Sequence, residues 1–252
     1  MLIHGIRPPK NFLIRYLLQN SLAIVVPTEI TKRYIEDKFK IEKQNLFVIP
    51  SGINPEYFYP KKDVSDLNPP VLCFAGRLEE NKGFLEALDC LKKVKKYFPK
   101  VRLKVAGEFI SKDYKKLVLG FIDRNKLSGN IVFHGYLPPS EMGGLYRSSD
   151  LLLFPSKKEA FGRAVVEAMM CGTAAVALED SGGPETIIEN GIDGLLSGQE
   201  SFAENVIELL KNQDRLRQMS YQAIMNAKRK YSIDKIYLKV ESLYLSFLKS
   251  GN

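Results

Sequence analysis

Cysteine and histidine are scarce in this sequence, and long apolar runs are missing. Its 252 residues include three cysteines and two histidines. Cys73, Cys90 and Cys171 stand far apart with no CxxC pair, a pattern that indicates neither a zinc site nor a disulfide framework. A reducing, cytoplasmic setting fits it. His4 and His134 leave imidazole chemistry few places to reside. Apolar runs such as LAIVV (22–26) and LLLF (151–154) fall far short of the ~20 residues that span a bilayer, and the N-terminus carries no signal-peptide apolar region. Membrane contact is therefore expected to be peripheral at most. No internal repeat or low-complexity segment is found.

What is present is apolar and basic. A hydrophobic content of 45% over this length supplies the core of one or two globular domains. Lys and Arg outnumber Asp and Glu 37 to 29, a formal charge of +8. The excess is concentrated in stretches such as KKVKKYFPK (92–100) and SKDYKKL (111–117). Such a balance suits anionic partners, whether nucleotides, phosphorylated intermediates, acidic lipid headgroups or nucleic acid; it equally suits a plain solvated face.

From residue 71 onward, short apolar runs alternate with longer amphipathic ones, as in a parallel sheet covered by helices. Strands are expected at 71–75, 101–106, 130–134, 150–154, 173–178 and 193–196. Helices are expected at 83–98, 112–126, 139–147, 163–171 and 184–189, and again from about 201 to the end. The pattern predicts an α/β fold with a doubly wound parallel sheet. The first fifty residues read as helix (11–20), strand (22–26), helix (28–38) and strand (46–49), too few to close a domain. The expected organisation is thus the closing portion of a first α/β domain (1–50), a proline-bearing linker (51–70), a nucleotide-binding domain (71–231) and a terminal helix (232–252).

Three strand-to-helix turns hold candidate chemistry. Glu159 follows the 150–154 strand at its carboxyl end, where open α/β sheets place ligands; the alternative is a first-turn acid favoured by the helix dipole. Phe161 and Gly162 open the next helix, so their backbone N–H groups lie at a positive terminus. Within that helix Glu167 stands among Val165, Val166, Ala168 and Met169, where an ionised carboxylate costs several kcal/mol unless it is hydrogen-bonded. The segment FAGRLEENKGF (74–84) matches neither GxGxxG nor a P-loop, yet it places Arg77 and Lys82 after Gly76, where they could clamp a diphosphate or merely decorate the surface. In EDSGGPETIIENGIDGLL (179–196), Gly182 and Gly183 are expected to offer free amides to phosphate oxygens, and Glu185 to cap the short helix or accept from a sugar hydroxyl.

Glu159 and Glu167 form an E-x7-E pair within PSKKEAFGRAVVEAMMCGTAAVA. That segment resembles glycosyltransferase family 4, the retaining nucleotide-sugar transferases of the two-Rossmann-domain GT-B architecture. The resemblance runs in order through VIPSGINPEYFYP, FAGRLEENKG, IVFHGYLPPSEMGGLYRSSDLLLFPS and SGGPETIIENGIDGLL, and covers nearly the whole chain. It implies that Glu167 accepts hydrogen bonds from the ribose hydroxyls of the donor nucleotide. It likewise implies that Glu159, with the Phe161 and Gly162 backbone, meets the donor hexose, and that Arg77 and Lys82 hold the diphosphate. The backbone of Tyr136 and Leu137 would meet the nucleobase, while Gly76, Gly182, Gly183 and Glu185 would line the same cleft. The donor would be a UDP- or GDP-linked sugar, with no further cofactor; no DxD metal motif is present. Transfer would retain configuration through an oxocarbenium-like transition state, to a glycan or lipid-linked acceptor in surface-polysaccharide synthesis.

The sequence departs from that family in one large respect. Against the resemblance, most of the acceptor-binding first domain, with its glycine-rich loop and histidine, is expected to be lacking, and His4 lies about where the histidine-bearing strand would end. Two expectations follow: a transferase whose other half is supplied by a separate polypeptide, or a nucleotide-sugar-binding subunit without turnover. A nucleic-acid partner is not expected, since no recognised module accompanies the charge.

Overall fold

The computed structural model describes residues 8–41, 46–60 and 68–250, so His4 lies outside the described residues. The larger part is built on six parallel strands: β3 (Val71–Ala75), β4 (Arg102–Ala106), β5 (Ile131–Gly135), β6 (Leu151–Phe154), β7 (Ala174–Leu178) and β8 (Gly194–Ser197). Each lies within about one residue of its expected place. The sheet order is β5-β4-β3-β6-β7-β8. The chain therefore starts in the middle, winds outward to one edge, then returns beside β3 and winds to the other edge. The switch point between β3 and β6 is where such sheets open a crevice beyond the strand ends.

Period-two alternation sends side chains to two cores. Leu72, Phe74, Leu103, Val105, Leu151 and Leu153 pack against α3 (Phe84–Lys95), α4 (Lys112–Arg124) and α8 (Phe202–Lys211). On the opposite face, Cys73, Ala75, Leu152, Phe154, Ala175 and Ala177 meet α5 (Pro139–Arg147), α6 (Arg163–Met170) and α9 (Gln213–Tyr231). The alanines of β7 leave room for α6, which is why that helix is almost wholly buried. Helix limits follow local chemistry. Ser111 accepts from the Tyr114 amide to start α4, and α3 stops at Lys95, shorter than expected, because Pro99 follows closely. The α7 helix (Gly183–Ile187) is also shorter than expected, and Asn212 and Ser232 divide the C-terminal helical region into α8, α9 and α10 (Ile233–Ser250).

The smaller part contains α1 (Pro8–Gln19), β1 (Ile24–Val26), α2 (Glu29–Phe39) and β2 (Leu46–Val48), with the two strands parallel. Its own core is small: Ile24, Val26, Ile35, Phe39, Ile41 and Leu46. α10 returns to it, with Phe247 edge-on to Phe47 at 5.9 Å. The two chain passages between the parts are joined: the Ile53 amide donates to the Tyr231 carbonyl and the Ile233 amide to the Ile53 carbonyl, at 2.9 and 3.1 Å.

Candidate functional site

The two loops at the switch point interlock. After β3 the chain makes a 3-10 turn (Glu80–Lys82) and reverses at Gly83, whose φ of +72° suits glycine. A Cβ there would stand 2.1 Å from the Pro155 carbonyl oxygen, so the turn packs directly on the end of β6. This contact delivers Lys82 to Glu159, and the two form an ion pair with side chains 21% and 14% exposed. The buried Ser156 hydroxyl donates to the same Glu159 oxygen, Oε1, at 2.5 Å. Arg77 is different: its guanidinium is largely exposed and pairs with Glu79 at 2.8 Å.

Glu159 also belongs to a backbone seam. Its amide donates to the Ser181 carbonyl at 2.7 Å, and its carbonyl accepts from the Gly183 amide at 2.8 Å. The Gly182 amide is held by Glu185 Oε1, also at 2.7 Å. The expectation of two free amides at Gly182 and Gly183 is thereby corrected: the Gly183 amide binds the β6–α6 loop to the start of α7, and the Gly182 amide is taken by the Glu185 side chain of α7 itself. Glu185 takes the helix-capping role. Gly183 is required by proximity, since an added Cβ would lie 2.2 Å from the Phe161 carbonyl oxygen.

Phe161 is buried against Tyr231, ring edge to face at 5.7 Å, and Gly162 begins α6 in a left-handed conformation. One turn into α6, Glu167 is buried, as its apolar neighbours require. Its carboxylate is answered from within the chain. Arg163 Nε donates to Oε1 at 2.7 Å and the Tyr146 hydroxyl to Oε2 at 3.2 Å. Burial raises the Glu167 pKa above the ordinary carboxylate value, against the lowering effect of the Arg163 and Tyr146 bonds. Tyr146 is driven well above its usual range by its own burial and by Glu167.

Tyr136 is exposed just beyond β5, whereas Leu137 packs partly into the second core. Gly76 donates its amide to Ala106, extending the β3–β4 ladder. His134 is exposed on the edge strand β5. The three thiols are buried, and burial pushes Cys73 and Cys171 up to about 12, so they are not nucleophiles. Among the described residues, no group of three His, Cys, Asp or Glu is placed to hold a metal ion, and no helix is long and apolar enough to cross a membrane.

Sequence reasoning passed over Tyr146, Arg163, Ser156 and Thr28. Arg163 had a signal, its i,i+4 spacing to Glu167. Thr28 caps α2 and donates to the Ala160 carbonyl at 3.0 Å, and Thr31 donates to the same oxygen at 3.3 Å, so the smaller part touches the Glu159 loop.

A family model described as glycosyl transferases group 1 matches residues 56–225. The chain belongs to that family. The chain is 26% identical, over 84% of its length and 50% of the relative's, to the D-inositol 3-phosphate glycosyltransferase of Segniliparus rotundus. It is 27% identical to the lipopolysaccharide 1,2-N-acetylglucosaminetransferase of Salmonella typhimurium, over 76% of the chain and 52% of the relative. The chain thus spans about half the length of these curated relatives. Among solved structures, Anabaena HepE in complex with UDP and glucose superposes with a TM-score of 0.83 at 20% identity, over 96% of this chain and 68% of that one. The fold is that of the Rossmann-like C-terminal half of the GT-B glycosyltransferases, with a smaller two-stranded part.

Proposed function

We propose that the chain carries the donor site of a retaining hexosyltransferase that takes a UDP- or GDP-linked sugar. The observation that supports this best is the arrangement around β6. Glu159, neutralised by Lys82, stands at the switch point, and Glu167 follows in the next helix with its buried carboxylate held by Tyr146 and Arg163. In this reading Glu167 accepts from the ribose hydroxyls and Glu159 from the hexose. Lys82 and Arg77 hold the diphosphate, Gly162 and the Phe161 backbone border it, and Tyr136 and Leu137 border the base.

The chemistry follows from charge. As the glycosidic bond breaks, positive charge grows on the sugar and negative charge on the departing diphosphate. Lys82 is already held in place, so it meets that negative charge without reorganising. Arg77 needs only to leave a surface pair with Glu79, which is weak. Two cations at one turn supply what a metal would otherwise supply. Glu159 and Glu167 are not a glycosidase acid and nucleophile pair, because Glu167 is committed to the nucleotide.

The acceptor is a glycan or a lipid-linked glycan of a surface polysaccharide, met in the cytoplasm at the inner face of the membrane. A second reading is that this chain binds the nucleotide-sugar donor without turnover. Calorimetric titration with UDP, GDP and ADP, with Glu167→Ala as control, tests the donor site. Saturable binding of one nucleotide, lost in the variant, supports it; a folded chain that binds none removes it. Release of labelled sugar from the matching donor by the chain alone then separates catalyst from binding subunit.

A further inference from the structure

Tyr146 lies in the last turn of α5 and none of its surface reaches solvent. A phenol hydroxyl in such a place costs free energy unless it is bonded, and a phenylalanine would fill the same space without that cost. Here the hydroxyl has a specific partner, Glu167 Oε2. The rest of the residue is fixed independently. Thr173 donates to its carbonyl at 2.6 Å, and the Phe58 ring lies 6.2 Å away. Arg163, by contrast, reaches Oε1 with a side chain 55% exposed. An ionised carboxylate has about four acceptor sites, so these two bonds leave others for a ligand's hydroxyls.

We infer that Tyr146 is a positioning residue: it holds the Glu167 carboxylate in the orientation that accepts the ribose hydroxyls of the donor nucleotide. The inference rests on the ribose reading of Glu167 given above. Tyr146 touches no ligand itself and acts through the carboxylate.

A pH dependence accompanies this role. Glu167 is faced by Arg163 on its own helix, by Cys171 at the end of that helix and by Tyr146 on α5, with Cys73 beside Tyr146 and Arg147 beside Cys171. The thiols stay neutral through the acid range. Removing the Tyr146 hydroxyl therefore leaves burial less opposed, so Glu167 takes up its proton at a higher pH.

The experiment measures affinity for UDP and GDP and for their 2′,3′-dideoxy counterparts in the wild type, Tyr146→Phe and Glu167→Ala. In Tyr146→Phe the ribonucleotide is expected to bind about tenfold more weakly, about 1.4 kcal/mol, with unchanged affinity for the dideoxy ligand. The melting temperature stays close to wild type, and the acid limb of ribonucleotide binding moves to higher pH. A full wild-type preference for the ribonucleotide in Tyr146→Phe overturns the positioning role while leaving Glu167 in place. So does equal weakening of both ligands, which marks a packing role. If Glu167→Ala keeps the preference, or the folded wild type binds neither nucleotide, the ribose reading itself fails and Tyr146 with it.

Discussion

Lys82 and Glu159 come from opposite sides of the β3–β6 switch point and meet in an ion pair from which water is mostly excluded. The pair ties the ends of two adjacent strands together at the place where a donor diphosphate would lie. Lys82→Met leaves Glu159 with Ser156 alone, so a stability loss of about 1 kcal/mol is expected, most of it from the carboxylate left behind. Affinity for nucleoside diphosphate should fall at least tenfold, while nucleoside affinity holds. Arg77→Ala, at a 62% exposed side chain, should show the same ligand selectivity with no change in melting temperature. Equal losses for diphosphate and nucleoside would show that neither cation reads phosphate.

Gly183→Ala places a methyl against the Phe161 backbone, where there is no flexible side chain to give way. Overpacking of that kind costs about 1–3 kcal/mol, and in a domain of this size each kcal/mol lowers the melting temperature by roughly 2–4 °C. Gly129→Ala, which meets nothing within 4 Å, serves as the control and should melt with the wild type. Equal melting of the two variants would show that the seam between the Glu159 loop and α7 yields easily.

Thr28→Ala removes a helix cap and a bond to the Ala160 carbonyl together. A loss of about 1–2 kcal/mol is expected, recovered in Thr28→Ser because the hydroxyl, not the methyl, makes both bonds. Chemical denaturation checks this. A Thr28→Ser variant as unstable as Thr28→Ala would assign the effect to the buried methyl group.

Stability should also depend on Glu167 ionisation. Burial raises its folded pKa above the ordinary carboxylate value, so the folded chain holds the proton more tightly than the unfolded chain. The stability this contributes is complete below the unfolded pKa and is lost as pH rises through the folded one. Relative to Glu167→Gln, the wild type should therefore become less stable as pH rises from the unfolded pKa through the folded one. A difference between the two that is flat across that range would contradict the raised pKa.

Much of this architecture was legible in the sequence, for a physical reason. Each run such as VLCFA or AAVAL must bury both faces, and in a chain that alternates with amphipathic helices only a parallel sheet satisfies that demand. The burial of Glu167 was legible from its apolar neighbours, while Arg163, though spaced at i,i+4 for it, was passed over. Tyr146 was not, because its approach depends on how α5 lies across α6. The occupied amides of Gly182 and Gly183 were hidden for the same kind of reason: which loop pairs with which is settled by strand order, which no local pattern contains. The structure leaves His4 outside the described residues.

The bonds from Ile53 to Tyr231 and Ile233 have a mechanical meaning. The polypeptide passes between its two parts at 53 and again near 232, and the two passages are stitched to each other. Sliding or stretching of one part against the other would have to break that stitch, whereas a swing about it would not. Thr28 rests on Ala160, beside the Phe161 that packs on Tyr231, so the stitch and the loop that carries Glu159 are joined through neighbouring contacts. The geometry is that of a door hung at Ile53.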